Sequence, residues 1–248
     1  MILNEWHLIE TLIDGEMSVV SCGGAVRGGW SSVNRHVQPT PDIAITRIIQ
    51  EAVRTRRAVK LDVSSRKRAQ KTFHIEAIPV PPGPGGEVHG VQVWVGEPGR
   101  VPSPPRIVAG IAWDLERMVI GQTVEASMMS GGCSPGDHVP ERTPAEYIAK
   151  AVKFDASASL FELGIGPVHG RKWEAPMSVL HADGRVMRWY CWGKGRTDPG
   201  NVGIRLLWHD VSDTTPPELP TLSELGMREM LRTAGGSTPA CSPPSWLF

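Results

Sequence analysis

Cysteine is scarce and scattered: Cys22, Cys133, Cys191 and Cys241 share no C-x-x-C spacing. That excludes a disulfide frame and a thiolate zinc site, and it predicts reduced thiols in a cytoplasmic setting. Net charge is also lacking, with 26 Lys and Arg against 26 Asp and Glu. No global field therefore draws the chain toward nucleic acid or an anionic membrane. No apolar run approaches the roughly 18 residues of a membrane-spanning helix. The acidic opening MILNEWHLIETLIDGEMS lacks the basic start and apolar core of a secretion signal. G-x-S-x-G, P-loop, G-x-G-x-x-G and H-E-x-x-H patterns are all missing, which predicts a protein that is not an enzyme.

What is present is a folded composition, 40% apolar and 21% charged. Arginine outnumbers lysine and Gly and Pro are plentiful, as in chains from GC-rich bacterial genomes. The chain also repeats itself. Gly90 to Gly96 reads GVQVWVG, and about 113 positions later Gly203 to Asp210 reads GIRLLWHD. Upstream of each lie further strand-like runs and a helix-like run, in the same order. A period this long is a whole small domain, not a solenoid unit.

In the first copy, apolar runs at 8–13 and 17–22 flank Asp14-Gly15, a hairpin signal because both residues tolerate positive φ. Gly23-Gly24 and Gly28-Gly29 break the pattern. Thr40, Pro41 and Asp42 read as a helix start, followed by the stripe Ile45, Ile48, Ile49, Ala52 and Val53, with a stop near Arg56. Alternating strands follow at 58–63, 73–79 and 91–95. After Pro102-Ser103-Pro104-Pro105, the second copy restarts with strands at 108–113 and 119–128. Thr143-Pro144-Ala145-Glu146 is a capping box, with an apolar stripe through Tyr147, Ile148, Ala151 and Val152. Asp155 reads as the cap of a short helix to Leu163, and strands at 172–179, 186–192 and 202–208 complete the copy. Thr221-Leu222-Ser223-Glu224 opens a last short helix, and 237–248 reads as a flexible tail with an apolar tip, Trp246-Leu247-Phe248.

The segment HADGRVMRWYCWGKG and the closing GNVGIRLLWHDVSD, together with the element order, resemble a PAS domain. The matches are Asp183-Gly184 and Arg188-Trp189 for the D-G-x-x-R-W-type turn, and Asp210-Val211-Ser212 for the closing tripeptide. In the first copy Arg68-Ala69-Gln70 and Gly96-Glu97-Pro98 stand at these places. The resemblance covers roughly residues 5–98 and 108–213. It implies an α+β fold of two PAS-like domains, each an antiparallel sheet of about five strands with short helices on one side. The divisions are 1–100, a linker at 101–107, 108–213, and a Pro-rich linker, helix and tail at 214–248. It also implies a sensory, signal-transducing role, with a small-molecule ligand, a protein partner or dimerisation.

No residue pattern names a cofactor. The N-C-R-F-L-Q-like motif of flavin photoadducts is absent, with Cys133 in a turn-rich loop; His138 and His169 are isolated, and a lone His is more often a surface or core residue than a haem ligand; no metal-ligand cluster is visible. The basic group Arg66-Lys67-Arg68 with Lys71 reads as a solvated turn rather than a nucleic-acid contact. Tryptophan is the better lead. Trp173, Trp189, Trp192 and Trp208 fall on strands of the second copy, with Met187, Trp189 and Cys191 alternating against Arg188, Tyr190 and Trp192. Trp173, Met187, Trp189, Tyr190, Trp192 and Trp208 are therefore the candidate ligand or interface residues, and the face that forms a pocket stays open. The rival reading is an association module whose cores are filled by side chains.

Overall fold

The computed structural model describes residues 3–67, 71–83, 85–131 and 135–234. Cys133, the segment 68–70 and the tail from 235, with Cys241 and the apolar tip, lie outside the described residues. Met1–Glu218 form one compact unit and Leu219–Phe248 a second.

The first half of the larger unit runs β1 (Trp6–Glu10), β2 (Ser18–Cys22), β3 (Ala25–Ser31), α1 (Val33–His36), α2 (Ile45–Thr55), β4 (Val59–Ser64), β5 (Thr72–Pro79) and β6 (Gly90–Gly96). Its sheet has the order β3-β2-β1-β6-β5-β4, and the pairings are antiparallel. The second half runs β7 (Val108–Asp114), β8 (Val119–Gln122), α3 (Val124–Gly131), a 3-10 turn (Pro135–Asp137), β9 (Glu141–Arg142), α4 (Pro144–Ala149), β10 (Ala151–Lys153), α5 (Ser157–Ile165), β11 (Lys172–Leu180), β12 (Val186–Asp198) and β13 (Asn201–Asp210). Its order is β10-β11-β12-β13-β7-β8-β9, again antiparallel. The smaller unit holds α6 (Leu222–Ala234), whose start is fixed by reciprocal Thr221–Glu224 bonds of 2.7 and 3.2 Å. No helix among the described residues is long and apolar enough to cross a membrane.

This architecture corrects the expected α+β fold of two PAS-like domains with about five strands each. The chain is mostly antiparallel sheet, in sheets of six and seven strands, and the likeness to the PAS pattern is partial. Gly23-Gly24 form a turn as read, but Gly28-Gly29, also read as a break, lie within strand β3. The run 119–128 is not one strand: it ends at Gln122, and the Thr123 hydroxyl accepts from the Ala126 amide at 3.4 Å at the start of α3. Ala151 leaves the expected helical stripe to pair with Val179. The Thr40 start also moves, since α2 begins at Ile45 without a side-chain cap. Asp42 instead accepts from the Arg66 amide at 2.6 Å and the Ser65 hydroxyl at 3.0 Å, and hydrogen bonding to the carboxylate holds its pKa at about 2.

Each sheet has a helix-covered face. In the first half Ile45, Ile49 and Ala52 of α2 pack on Ile9, Ile75, Ala77, Val91, Val93 and Val95. In the second, α3 and α5 cover the apolar face of β7 and β11–β13. The opposite faces pack on each other. Leu8, Leu12, Val20, Val80, Val108, Trp192 and Leu207 form one buried cluster. A Cβ on Gly90 would stand 2.8 Å from the Leu207 side chain, so the glycine permits this approach. The connector crosses the same seam, where the Trp6 indole donates to the Ser103 carbonyl at 2.6 Å and Gln92 donates to the Arg106 carbonyl at 3.1 Å.

His89 completes the seam. Its Nδ1 lies 3.0 Å from the Leu206 carbonyl, and burial pushes its pKa down to about 4. Burial likewise lowers His209 to about 3. Both fold as neutral rings, so their contribution is complete above the unfolded value near 6.5 and is lost as pH falls through it toward 4. His74 opposes them: its bond to Asp62 raises its pKa, so its contribution exists below that value and fades as pH rises. Because the two buried rings outweigh one partly exposed ion pair, we expect unfolding free energy to drop by about 3 kcal/mol between pH 7 and 4.5. Urea titrations across that range would show it; a flat profile would contradict it.

Candidate functional site

The second half encloses an aromatic interior between its sheet and helices α3 to α5. Strand alternation sends Trp189 and Cys191 of β12, and Leu206 and Trp208 of β13, to this side. Trp113 from β7 and Trp173, Ala175 and Met177 from β11 complete the floor. Tyr147 from α4 leans edge-on against Trp208 with centroids 4.9 Å apart, and Trp208 meets Trp189 at 5.1 Å. Phe161 of α5 stands edge-on to Trp113 at 5.3 Å.

Two small cavities remain, each of about 20 Å³. One has a polar mouth of Gln122, Ser130, Arg142, Glu146 and Lys150 over Met177, Val179 and Trp189. The other is apolar, enclosed by Trp113, Ile120, Phe154, Leu160, Trp173 and Cys191. Tyr147, Met177 and Trp208 line both and so stand between them. Among the described residues, the buried indole N–H groups of Trp113, Trp189 and Trp192 have no hydrogen-bond acceptor; the first two side chains line these cavities, and Trp192 lies in the seam between the sheets. A buried donor without an acceptor is costly and calls for an explanation. The Tyr147 hydroxyl donates to Gln122 Oε1, and burial raises its pKa above the usual phenol value. Burial also pushes the Cys191 thiol up, away from the thiolate a nucleophile needs.

Of the six candidate residues, the structure gathers Trp173, Met187, Trp189 and Trp208 on this interior face. Tyr190 and Trp192 lie on the other face, stacked 4.8 Å apart in the seam between the sheets. Burial there raises the Tyr190 pKa to about 12. Tyr147, Gln122 and Trp113 escaped the sequence reading. Tyr147 falls on a helical stripe, but nothing in local spacing shows that it reaches Trp208, 61 positions away. Two wider clefts, of about 230 and 350 Å³, lie elsewhere. In them Arg117 pairs with Glu141, Arg196 and Arg205 with Glu87, and Arg54 with Glu51. No group of His, Cys, Asp and Glu able to hold a metal ion occurs among the described residues.

Residues 5–105 match the family model described as Rv3651-like, N-terminal. No curated protein matches the chain. Among solved structures, an uncharacterised protein from Mycobacterium tuberculosis shares the fold, with a TM-score of 0.70 and 22% identity over 91% of this chain and 69% of that one. An RNA-binding light-oxygen-voltage receptor overlaps 52% of this chain and 35% of its own, at 20% identity and a TM-score of 0.34. A sensory box histidine kinase/response regulator from Burkholderia thailandensis E264 overlaps 52% of this chain and 88% of its own, at 12% identity and a TM-score of 0.33. The last two overlaps are too loose to define a common fold.

The tight interior makes one sign reversal testable. Alanine for glycine inside a helix ordinarily stabilises by up to about 1 kcal/mol. At Gly164 of α5, a Cβ would stand 2.5 Å from the Trp113 ring, which Phe161 also holds. Gly164→Ala should therefore destabilise, by about 1–3 kcal/mol in urea denaturation. A stabilised variant would show that the interior is loosely packed.

Proposed function

We propose that this chain is a non-enzymatic regulatory protein of signal transduction that binds a small molecule in the aromatic interior of its second half. The observation that carries this reading is that two buried, acceptorless indole donors, Trp189 and Trp113, each line one of two cavities that meet at Tyr147, Met177 and Trp208. A ligand bearing hydrogen-bond acceptors would satisfy donors that the fold leaves unmatched. Helix α4, which carries Tyr147 onto Trp208, is suited to yielding, because none of its residues is fully buried. The raised Cys191 thiol, and the engagement of Glu146, the carboxylate of the first cavity's lining, with Thr143 at the helix start, support a binding role rather than catalysis.

The signal would pass through β12 and β13. Cys191 and Trp208 touch the interior, and their neighbours Trp192 and Leu207 touch the first sheet. A ligand that moved one face would alter the packing of the other, biasing contacts with a protein partner.

A second reading has its own observation. Each cavity holds about 20 Å³, room for one water, so the interior as it stands is filled by side chains. On that reading the chain is an association module, self-assembling or joining a partner with no ligand. Native mass spectrometry on protein purified from its own host separates the two. The small-molecule reading expects a noncovalent added mass that a Trp208→Ala variant loses. A bare chain would contradict it, and a bare chain at twice the monomer mass would favour association.

A further inference from the structure

The cavity walls also say what kind of molecule would fit, an inference that rests on the small-molecule reading above. From the geometry we infer that the ligand is a one- or two-ring aromatic carboxylate that displaces the Tyr147 ring from Trp208.

Ring chemistry follows from the walls. Tyr147, Trp208 and Trp189 form a continuous aromatic series with centroid spacings of 4.9 and 5.1 Å. Edge-on and offset ring contacts of this kind favour another ring over an aliphatic chain. The available space is the Tyr147 ring together with the two small cavities it separates, which limits the ligand to one or two fused rings. Leaving its place costs Tyr147 the bond to Gln122 Oε1, and a ring entering in its stead restores the contact with Trp208. Trp189, whose buried N–H has no acceptor, lines the same space, and an acceptor atom on the ligand would suit it.

The charge follows from the mouth. Its charged groups are Arg142, Lys150 and Glu146. Glu146 is committed to the helix start, accepting from the Thr143 amide at 2.7 Å and the Thr143 hydroxyl at 2.9 Å. These bonds hold its pKa below the usual range, so it stays ionised within the cap. Arg142 is fixed by β9, where it pairs with Ile120. Lys150 donates to the Ser130 carbonyl at 3.3 Å, which holds its ammonium at the rim. With two cations against one carboxylate engaged by its own backbone, an acid is favoured over a neutral or basic ring. The aromatic end enters, and the carboxylate stays at the rim near Arg142.

Calorimetric titration with indole-3-carboxylate and with its uncharged counterpart indole-3-carboxamide tests this, on the whole chain and on its Arg142→Gln and Tyr147→Ala variants. The wild-type chain should bind the acid at least tenfold more tightly than the amide. R142Q should lose that preference with amide binding unchanged, and Y147A should bind both more tightly. Equal binding of acid and amide by the wild-type chain would overturn the ligand class and leave the small-molecule reading standing. So would an acid preference that survives in R142Q, since the carboxylate would then lie elsewhere. No binding of either probe by wild type and Y147A would overturn the ligand class, and the native mass spectrum would decide the small-molecule reading. Binding by Y147A alone would make Tyr147 part of a filled core, with the same consequence.

Discussion

The ammonium of Lys194, on a central strand of the second sheet, is fully buried and is held by groups of the first half. Glu10 accepts from it at 3.1 Å and Glu16 at 2.8 Å, and the Trp30 ring lies 5.2 Å from it. Glu10 is itself buried, and its other oxygen accepts from the Leu12 amide at 3.2 Å. A charge this far from water survives only with its partners in place, and removing one typically costs about 3–5 kcal/mol. The pair therefore adds little net stability but strongly penalises any arrangement that separates the sheets. Arg205 repeats the device one strand over, donating to the Leu12 carbonyl at 3.0 Å and pairing with Glu87.

Because of this contact, β12 and β13 have no solvent face along their central residues. One side is committed to the aromatic interior, and the other to the first sheet. A packed layer of this kind is not freely deformable. A change of volume at Trp208 or Cys191 must be absorbed by Leu207 and Trp192 on the reverse of the same strands. The site and the seam thus lie one strand thickness apart. Packed side chains on the two faces of β12 and β13 run from one to the other.

Much of this was legible from the chain alone. Alternation in 186–192 sorted Trp189 from Tyr190 and Trp192 onto opposite faces, and the structure places them so. The heavy side chains on both faces signalled that neither was open to water. The capping box at Thr143 appears as read, because it depends on a four-residue geometry. Other features depend on pairing across the sheet. A glycine run with no alternation gave no sign of β3, which exists because β2 offers it an edge. Lys194 and Glu10 are 184 positions apart, and an isolated lysine in a strand reads as solvated until the opposite sheet is present. The α+β, five-stranded expectation failed for the same reason: short edge strands such as β9 and β10 carry too few residues to show a period. Tyr147 was visible as an apolar position, but its place between two cavities is a tertiary fact.

Amide hydrogen exchange, read by mass spectrometry on the wild-type chain and the Tyr147→Ala variant, tests the central claim most directly. Tyr147 touches only the interior side of the second sheet. If β12 and β13 join that interior to the first half, the variant should exchange faster in both strands and also in β1, which packs against their far side. Faster exchange confined to α3, α4 and α5, with β1 unchanged, would contradict the account.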